Sequence, residues 1–181
     1  MRVVETVIAV IWIAFWLYWI AVASGAKQGR TRWGRFAVVR VVLVLVVLLL
    51  VRDNSFKGQS EKDPLLWGVG LAVFVAGLLL ALWARHDLGR NWGMPMSEKT
   101  DPELVTSGPY RRVRHPIYSG LILAMLGTSI AVGWYWLIAV GALGFYFVYS
   151  ALNEERYMTG VFPDAYPAYK RSTKMLIPFV V

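Results

Sequence analysis

The sequence predicts an all-α integral membrane protein with about five transmembrane helices, and three observations carry that expectation. Hydrophobic residues fill 57% of the 181 positions, more than a soluble domain usually carries. Apolar runs of bilayer-spanning length, about 17 to 25 residues, recur along the chain. The charged residues gather in the connections between these runs, and their net charge of +8 suits anionic lipid headgroups better than nucleic acid, which would require an aromatic-interleaved basic surface.

Each run has its own features. The first, Val3 to Ala23, is longer than the apolar part of a cleaved leader and is preceded by a single Arg, so it reads as a span. The second, Phe36 to Val51, is short and contains Arg40, which can snorkel from its N-terminal end. The third runs from Leu65 to Ala84. Only Gly133 separates the fourth, Ile117 to Val132, from the fifth, Trp134 to Leu152. Trp134, Tyr135 and Trp136 suit a membrane interface, so these two runs predict a tight helical hairpin. With no linker, low-complexity tract or repeat to divide it, the chain reads as a single membrane domain over 1–181. Three N-terminal helices occupy 1–84, and the polar chemistry falls in 85–181.

Loop charges set the expected orientation. Segment 24–35 carries Lys27, Arg30, Arg32 and Arg35 without an acid, whereas 52–64 balances Arg52, Lys57 and Lys62 against Asp53, Glu61 and Asp63. The positive-inside rule puts 24–35, 85–116 and the chain after Leu152 in the cytoplasm and the N-terminus outside. The expected location is the cytoplasmic (inner) membrane, with the polar segments before the fourth run and after the fifth on its cytoplasmic face.

There is no cysteine, which excludes disulfides, thiolate nucleophiles and zinc-thiolate sites. His86 and His115 are too few for a histidine-rich metal site, and no metal is expected. The remaining polar chemistry lies before the fourth run, at the end of the fifth and after it. Taken singly, Arg111, Arg112 and Arg114 are headgroup anchors, Gly108-Pro109 a turn, Pro116 a first-turn residue, Tyr110 and Tyr118 interfacial aromatics, and Glu154 and Glu155 a solvated helix end. Their convergence argues for more. A hairpin brings His115 close to Glu154, and two acids near a helix C-terminus oppose the macrodipole. Arg114, or a ligand with hydroxyl donors, would compensate them.

The stretches LVTSGPYRRVRHPIYSG (104–120), EERY (154–157) and FPDAYPAYKRSTKMLIPF (162–179) resemble the isoprenylcysteine carboxyl methyltransferase family and its relatives among the phospholipid N-methyltransferases, over residues 88–179. The resemblance implies an integral membrane methyltransferase that uses S-adenosylmethionine, held in a cytoplasmic pocket made by the loop before the fourth helix and by the C-terminal tail. Its cofactor contacts would fall on Leu104, Val105, Tyr110, Arg114, His115, Pro116, Tyr118 and Glu154. Glu154 would take the ribose hydroxyls, and Arg114 or His115 the donor's carboxylate; no catalytic residue is assigned. The implied partners are membrane lipids and a lipophilic acceptor, either isoprenylcysteine carboxylate-like or a lipid headgroup. The chain departs from the family pattern at two places. Pro102 or Glu103 stands where a His is usual, and Ser150 stands where an Arg holds the substrate carboxylate.

Two other classes share part of these signals. A membrane sterol or steroid reductase using NADPH also has an R-H-P-like turn, an acidic pair and a Y…IP tail, but Gly-Pro-Tyr before the basic run favours the methyltransferase. A small non-enzymatic transporter predicts ionisable groups inside the spans, and these runs hold only Arg40 and, near an end, Glu5.

Overall fold

The computed structural model describes residues 2–23, 29–31, 63–92, 97–99 and 103–177. Its helices are α1 (Arg2–Ala23), α2 (Pro64–Leu88), α3 (Pro116–Val132), α4 (Leu137–Val161) and the short α5 (Ala165–Ser172). Two three-residue strands, β1 (Gly29–Thr31) and β2 (Ser97–Lys99), pair antiparallel with Gly29 opposite Lys99. They form the only sheet among the described residues. Val3–Val22, Pro64–Asn91 and Trp134–Val161 are long and apolar enough to cross a membrane, and Pro116–Val132 is a shorter apolar helix. The protein is thus an all-α membrane protein, and four of the five expected runs are helices. The remaining one, Phe36 to Val51, lies outside the described residues.

Local chemistry sets the helix boundaries. The Asp63 side chain accepts from the Leu65 N–H at 2.8 Å and caps α2, whose first residue, Pro64, has no N–H to satisfy. At the other end, the chain leaves α2 through Gly89 at φ 53°, a conformation glycine adopts at little cost. Pro116 likewise opens α3 with no N–H to satisfy, there without a side-chain cap.

The membrane core is built on close approach of α2 and α3, which run antiparallel. Gly70, Gly77 and Ala81 of α2 meet Ala131, Gly127, Ala124 and Gly120 of α3. A Cβ on Gly77 would stand 2.3 Å from the Ala124 nitrogen, and one on Gly127 would stand 2.3 Å from the Phe74 nitrogen. Lipid tails are as apolar as leucine, so helices in a bilayer associate through such backbone contact and through occasional polar bonds. One of these bonds fastens α1: Trp12 Nε1 donates to Thr128 Oγ1 at 3.2 Å, and the Trp12 ring lies 5.5 Å from that of Phe74. At the polar end, buried Arg85 donates to Val22 O and Gly89 O and lies over the Trp92 ring. It thereby ties the C-termini of α1 and α2 together with a cation where both macrodipoles favour one.

The helices outrun the apolar segments that announce them. α2 continues past Ala84, so Arg85 and His86 belong to its last turn. Between the hairpin helices, Gly133 is followed by a tight 3₁₀ turn over Trp134–Trp136. α4 then continues beyond Leu152 to Val161. Glu154 and Glu155 therefore lie within the helix instead of beyond its end. Apolar length measures the bilayer, whereas a helix continues until its backbone is interrupted, here at Phe162 just before Pro163.

Candidate functional site

The polar end of the α3–α4 hairpin is assembled from three chain segments. The first is the 3₁₀ turn Gly108–Arg111. It sits against the end of α2: Gly108 has φ 52°, and a Cβ there would fall 1.5 Å from Asp87 Oδ2. The second is the entry to α3, where Pro116 is fully buried. The third is the tail after α5, which runs parallel to residues 112–115. Lys174 N donates to Arg112 O at 3.1 Å, Arg114 N to Lys174 O at 2.8 Å and His115 N to Met175 O at 3.0 Å. Ser119 Oγ donates to Leu176 O, and the Tyr169 hydroxyl donates to Tyr110 O at 2.6 Å. Foremost through burial, the Tyr110 phenol is held far above its usual range, and that of Tyr169 is pushed up to about 12. Both remain neutral hydrogen-bonding groups at physiological pH.

The two adjacent acids of α4 have opposite surroundings. Glu154, with 26% of its side chain exposed, is approached by hydroxyls: the Tyr118 OH donates to its Oε1 at 2.5 Å and Ser150 Oγ does so at 3.2 Å. Ser150 stands one turn earlier on the same face. Glu155 is 2% exposed and is approached by cations, with Arg114 Nε 2.6 Å from Oε1 and Lys170 Nζ 2.6 Å from Oε2. Arg114 Nη1 also donates to Thr173 O and Lys170 O.

His115 lies between the acids. Its Nδ1 is 3.6 Å from Glu154 Oε2 and its Nε2 is 3.6 Å from Glu155 Oε1. Its ring stacks on Tyr118 at 5.5 Å and 4°, and Tyr118 stacks on Phe147 at 4.8 Å and 15°. A three-ring column therefore descends from the polar end into the apolar hairpin, with a carboxylate at its side.

The structure gathers Tyr110, Arg114, His115, Pro116, Tyr118 and Glu154 around the start of α3. Leu104 and Val105 lie half-buried in the extended stretch leading to the turn, with Val105 packed on the apolar core. Their side chains are apolar and offer packing surface. Sequence reasoning did not single out Tyr169, Lys170, Thr173 or Ser119. The first three lie in and just after α5 within the quoted tail; Tyr169 and Thr173 act through main-chain carbonyls, which no residue pattern marks, and Lys170 pairs with Glu155 through its side chain as well as accepting from Arg114 at its carbonyl. Among the described residues, no group of three or more His, Asp or Glu gathers in a way that could hold a metal ion.

Comparison with known proteins points to one family. The phospholipid methyltransferase family matches residues 66–165, from the first turn of α2 to the start of α5. The chain is similar to the cobalt-zinc-cadmium resistance protein CzcN of Cupriavidus metallidurans, 33% identical over 80% of this chain and 63% of that protein. It is also similar to methanethiol S-methyltransferase 1 of Bradyrhizobium diazoefficiens, 39% identical over 45% of this chain and 28% of that protein. With the protein-S-isoprenylcysteine O-methyltransferase of Dictyostelium discoideum it shares 30% identity over 66% of this chain and 52% of that protein. The chain spans less than two thirds of the length of each of these three relatives.

Proposed function

Because the chain belongs to the phospholipid methyltransferase family, we propose that it is a membrane methyltransferase that moves a methyl group from S-adenosylmethionine to a lipophilic acceptor, either isoprenylcysteine carboxylate-like or a lipid headgroup. The observation that carries this reading is the partly exposed Glu154 carboxylate beside the His115–Tyr118–Phe147 ring column, where the polar end of the hairpin meets its apolar part. These residues fit the donor. A carboxylate suits the two hydroxyls of a ribose, and aromatic faces suit both a purine and a sulfonium. Leu104 and Val105, both half-buried, supply apolar walls.

When bound, the donor supplies an electrophilic methyl on sulfur. The transfer disperses positive charge, so the protein contributes most through alignment and exclusion of water. Tyr118 and Ser150 hold Glu154 in place through Oε1, and His115 Nδ1 lies 3.6 Å from its Oε2. Buried Pro116 and the ring column keep water from the apolar side. At the position where the family pattern has a cation stands Ser150, fully buried and donating to Glu154, so the wall there carries an acid and no cation. A lipid-borne group without a negative charge suits that wall better than a carboxylate does.

Calorimetry on purified protein is expected to show S-adenosylhomocysteine binding in the micromolar range, about −8 kcal/mol. Glu154→Gln should weaken it roughly tenfold to a hundredfold, the worth of a hydrogen bond to a charged group. Absence of heat and of thermal shift at millimolar ligand would remove the proposal, and retention of NADPH instead would favour a reductase. Incubating a lipid extract with protein and a deuterated methyl donor, then examining it by mass spectrometry, identifies the acceptor.

The proposed site faces the cytoplasm. Because the chain has no cysteine, single cysteines report without background. Ser107→Cys is expected to react with an impermeant maleimide from the cytoplasmic side and Ser60→Cys from the opposite side. The reverse labelling would invert the orientation.

A further inference from the structure

The two acids of α4 differ in a way that separates their roles. Glu154 is partly exposed and surrounded by hydroxyls, whereas Glu155 is enclosed by cations and offers a ligand no surface. The principal partner of Glu155, Arg114, has a side chain only 7% exposed, and its guanidinium reaches two chain segments at once. Nε meets Glu155 on α4, and Nη1 meets the carbonyls of Thr173 and Lys170 in α5 and the tail. Arg114 and its neighbours carry the main-chain bonds to Lys174 and Met175. Tail and hairpin are therefore joined through the buried Arg114–Glu155 pair, the half-exposed Lys170 on the same carboxylate, the Ser119–Leu176 bond and the short parallel pairing.

We propose that Glu155 is a positioning residue. Acting through Arg114, it fastens the tail segment 169–176 over the start of α3 and so sets the geometry of the donor site without touching the donor. This assignment rests on the donor-binding reading given above. A guanidinium held away from water needs a counter-charge. Deprived of Glu155, Arg114 turns toward solvent and releases the Thr173 and Lys170 carbonyls. The effect passes to the site through His115, whose Nε2 faces Glu155 while its Nδ1 faces Glu154. A shift of the imbalanced pair moves the imidazole, and with it the Tyr118 ring stacked on it and the orientation of Glu154. The tail also carries the Tyr169 hydroxyl that holds Tyr110 O, so its release loosens the turn on the other flank of the site.

The test uses the whole 181-residue chain in detergent and three variants, read first by tryptic cleavage after Lys170, Arg171 and Lys174, followed by mass spectrometry, and by the affinity for S-adenosylhomocysteine, with turnover and the thermal midpoint as supporting measurements. Glu155→Gln is expected to speed cleavage of the tail and to weaken ligand binding roughly tenfold to a hundredfold, the cost of misplacing a site from outside it. In turnover assays the KM for the donor should rise by the same factor, while kcat at saturating donor falls far less. The double variant Arg114→Met/Glu155→Met leaves no buried charge and keeps the volume. It is expected to recover the thermal midpoint but neither the tail protection nor the affinity, since methionine cannot hold the carbonyls. Arg114→Lys keeps a cation but loses the fork that reaches both segments, and should resemble Glu155→Gln. Unchanged cleavage and affinity in Glu155→Gln would overturn the proposal, as would full recovery of affinity in the double variant, which would show that the pair serves neutrality alone. If the wild-type protein binds no ligand, the donor-binding reading fails, and the cleavage arm still decides whether Glu155 fastens the tail.

Discussion

Gly77→Leu is expected to abolish the folded protein, with Gly127→Leu doing the same from the facing helix. The reason is that backbone, not a side chain, stands in the way. A Cβ on Gly77 would meet the Ala124 nitrogen at 2.3 Å and the Gly120 carbonyl oxygen at 2.6 Å, and one on Gly127 would meet the Phe74 nitrogen at 2.3 Å and the Gly70 oxygen at 2.6 Å. Overpacking a core that can relax through rotamers costs about 1 to 3 kcal/mol. Here the relaxation available is separation of α2 from α3, which gives up the contact along their whole length. The expected loss therefore exceeds about 3 kcal/mol, a large share of a small domain's stability. Gly141→Leu is the control: nothing lies within 4 Å of a Cβ there, and α4 should accept the change. Yield of monodisperse protein and the thermal midpoint in detergent separate the two cases. The consequence extends to the site, because α3 carries Tyr118 and is entered through His115 and Pro116. A Gly77→Leu protein that stays folded with wild-type stability would show that the helices do not meet as closely as the structure places them.

Hydrophobic patterning made the helical layers legible and obscured their ends. The apolar runs marked α1, α2, α3 and the first part of α4, because a bilayer imposes length and composition together. They did not mark the last turns of α4, where Asn153 to Tyr157 are polar yet continue the helix. The acid pair therefore looked like a helix end in need of compensation. Sequence reasoning correctly asked what balances two acids on a basic face and offered Arg114 or a ligand. The structure divides the answer by residue, giving Glu155 to Arg114 and Lys170 and leaving Glu154 among hydroxyls. That division depends on the direction in which each side chain leaves the helix, and adjacent residues point about 100° apart. The pairing of the tail with residues 112–115 was not legible at all, because it runs between main-chain groups that every residue carries. The glycines of the α2–α3 contact were legible in principle: Gly70 and Gly77, and Gly120 and Gly127, recur at the seven-residue spacing that keeps one helix face toward a partner.

For the lipophilic acceptor proposed above, KM in bulk concentration is expected to fall about fourfold for each methylene added to the acceptor chain, since each buried methylene contributes about 0.8 kcal/mol. Over four methylenes that is about 250-fold. The same KM expressed as mole fraction in the bilayer should stay level. The two statements belong together, because a chain that leaves lipid for an apolar cleft gains little: the hydrocarbon around it is equally apolar on either side of the move. The membrane thus supplies concentration, and the site's polar groups supply orientation. The outer surfaces of the hairpin suit lateral access, since exposed Phe145, Val148, Tyr149 and Leu152 on α4 continue the apolar phase up to the turn before Glu154. An acceptor taken from water without use of its chain gives the opposite pattern. Its bulk KM, measured without vesicles, would be flat with chain length, and its mole-fraction KM would rise about fourfold per methylene as the bilayer sequesters it. Measuring initial rates for a chain-length series in vesicles of varied lipid-to-protein ratio distinguishes the two. A headgroup analogue with no chain that is methylated as efficiently as the lipid would remove membrane access from the proposal while leaving the donor site untouched.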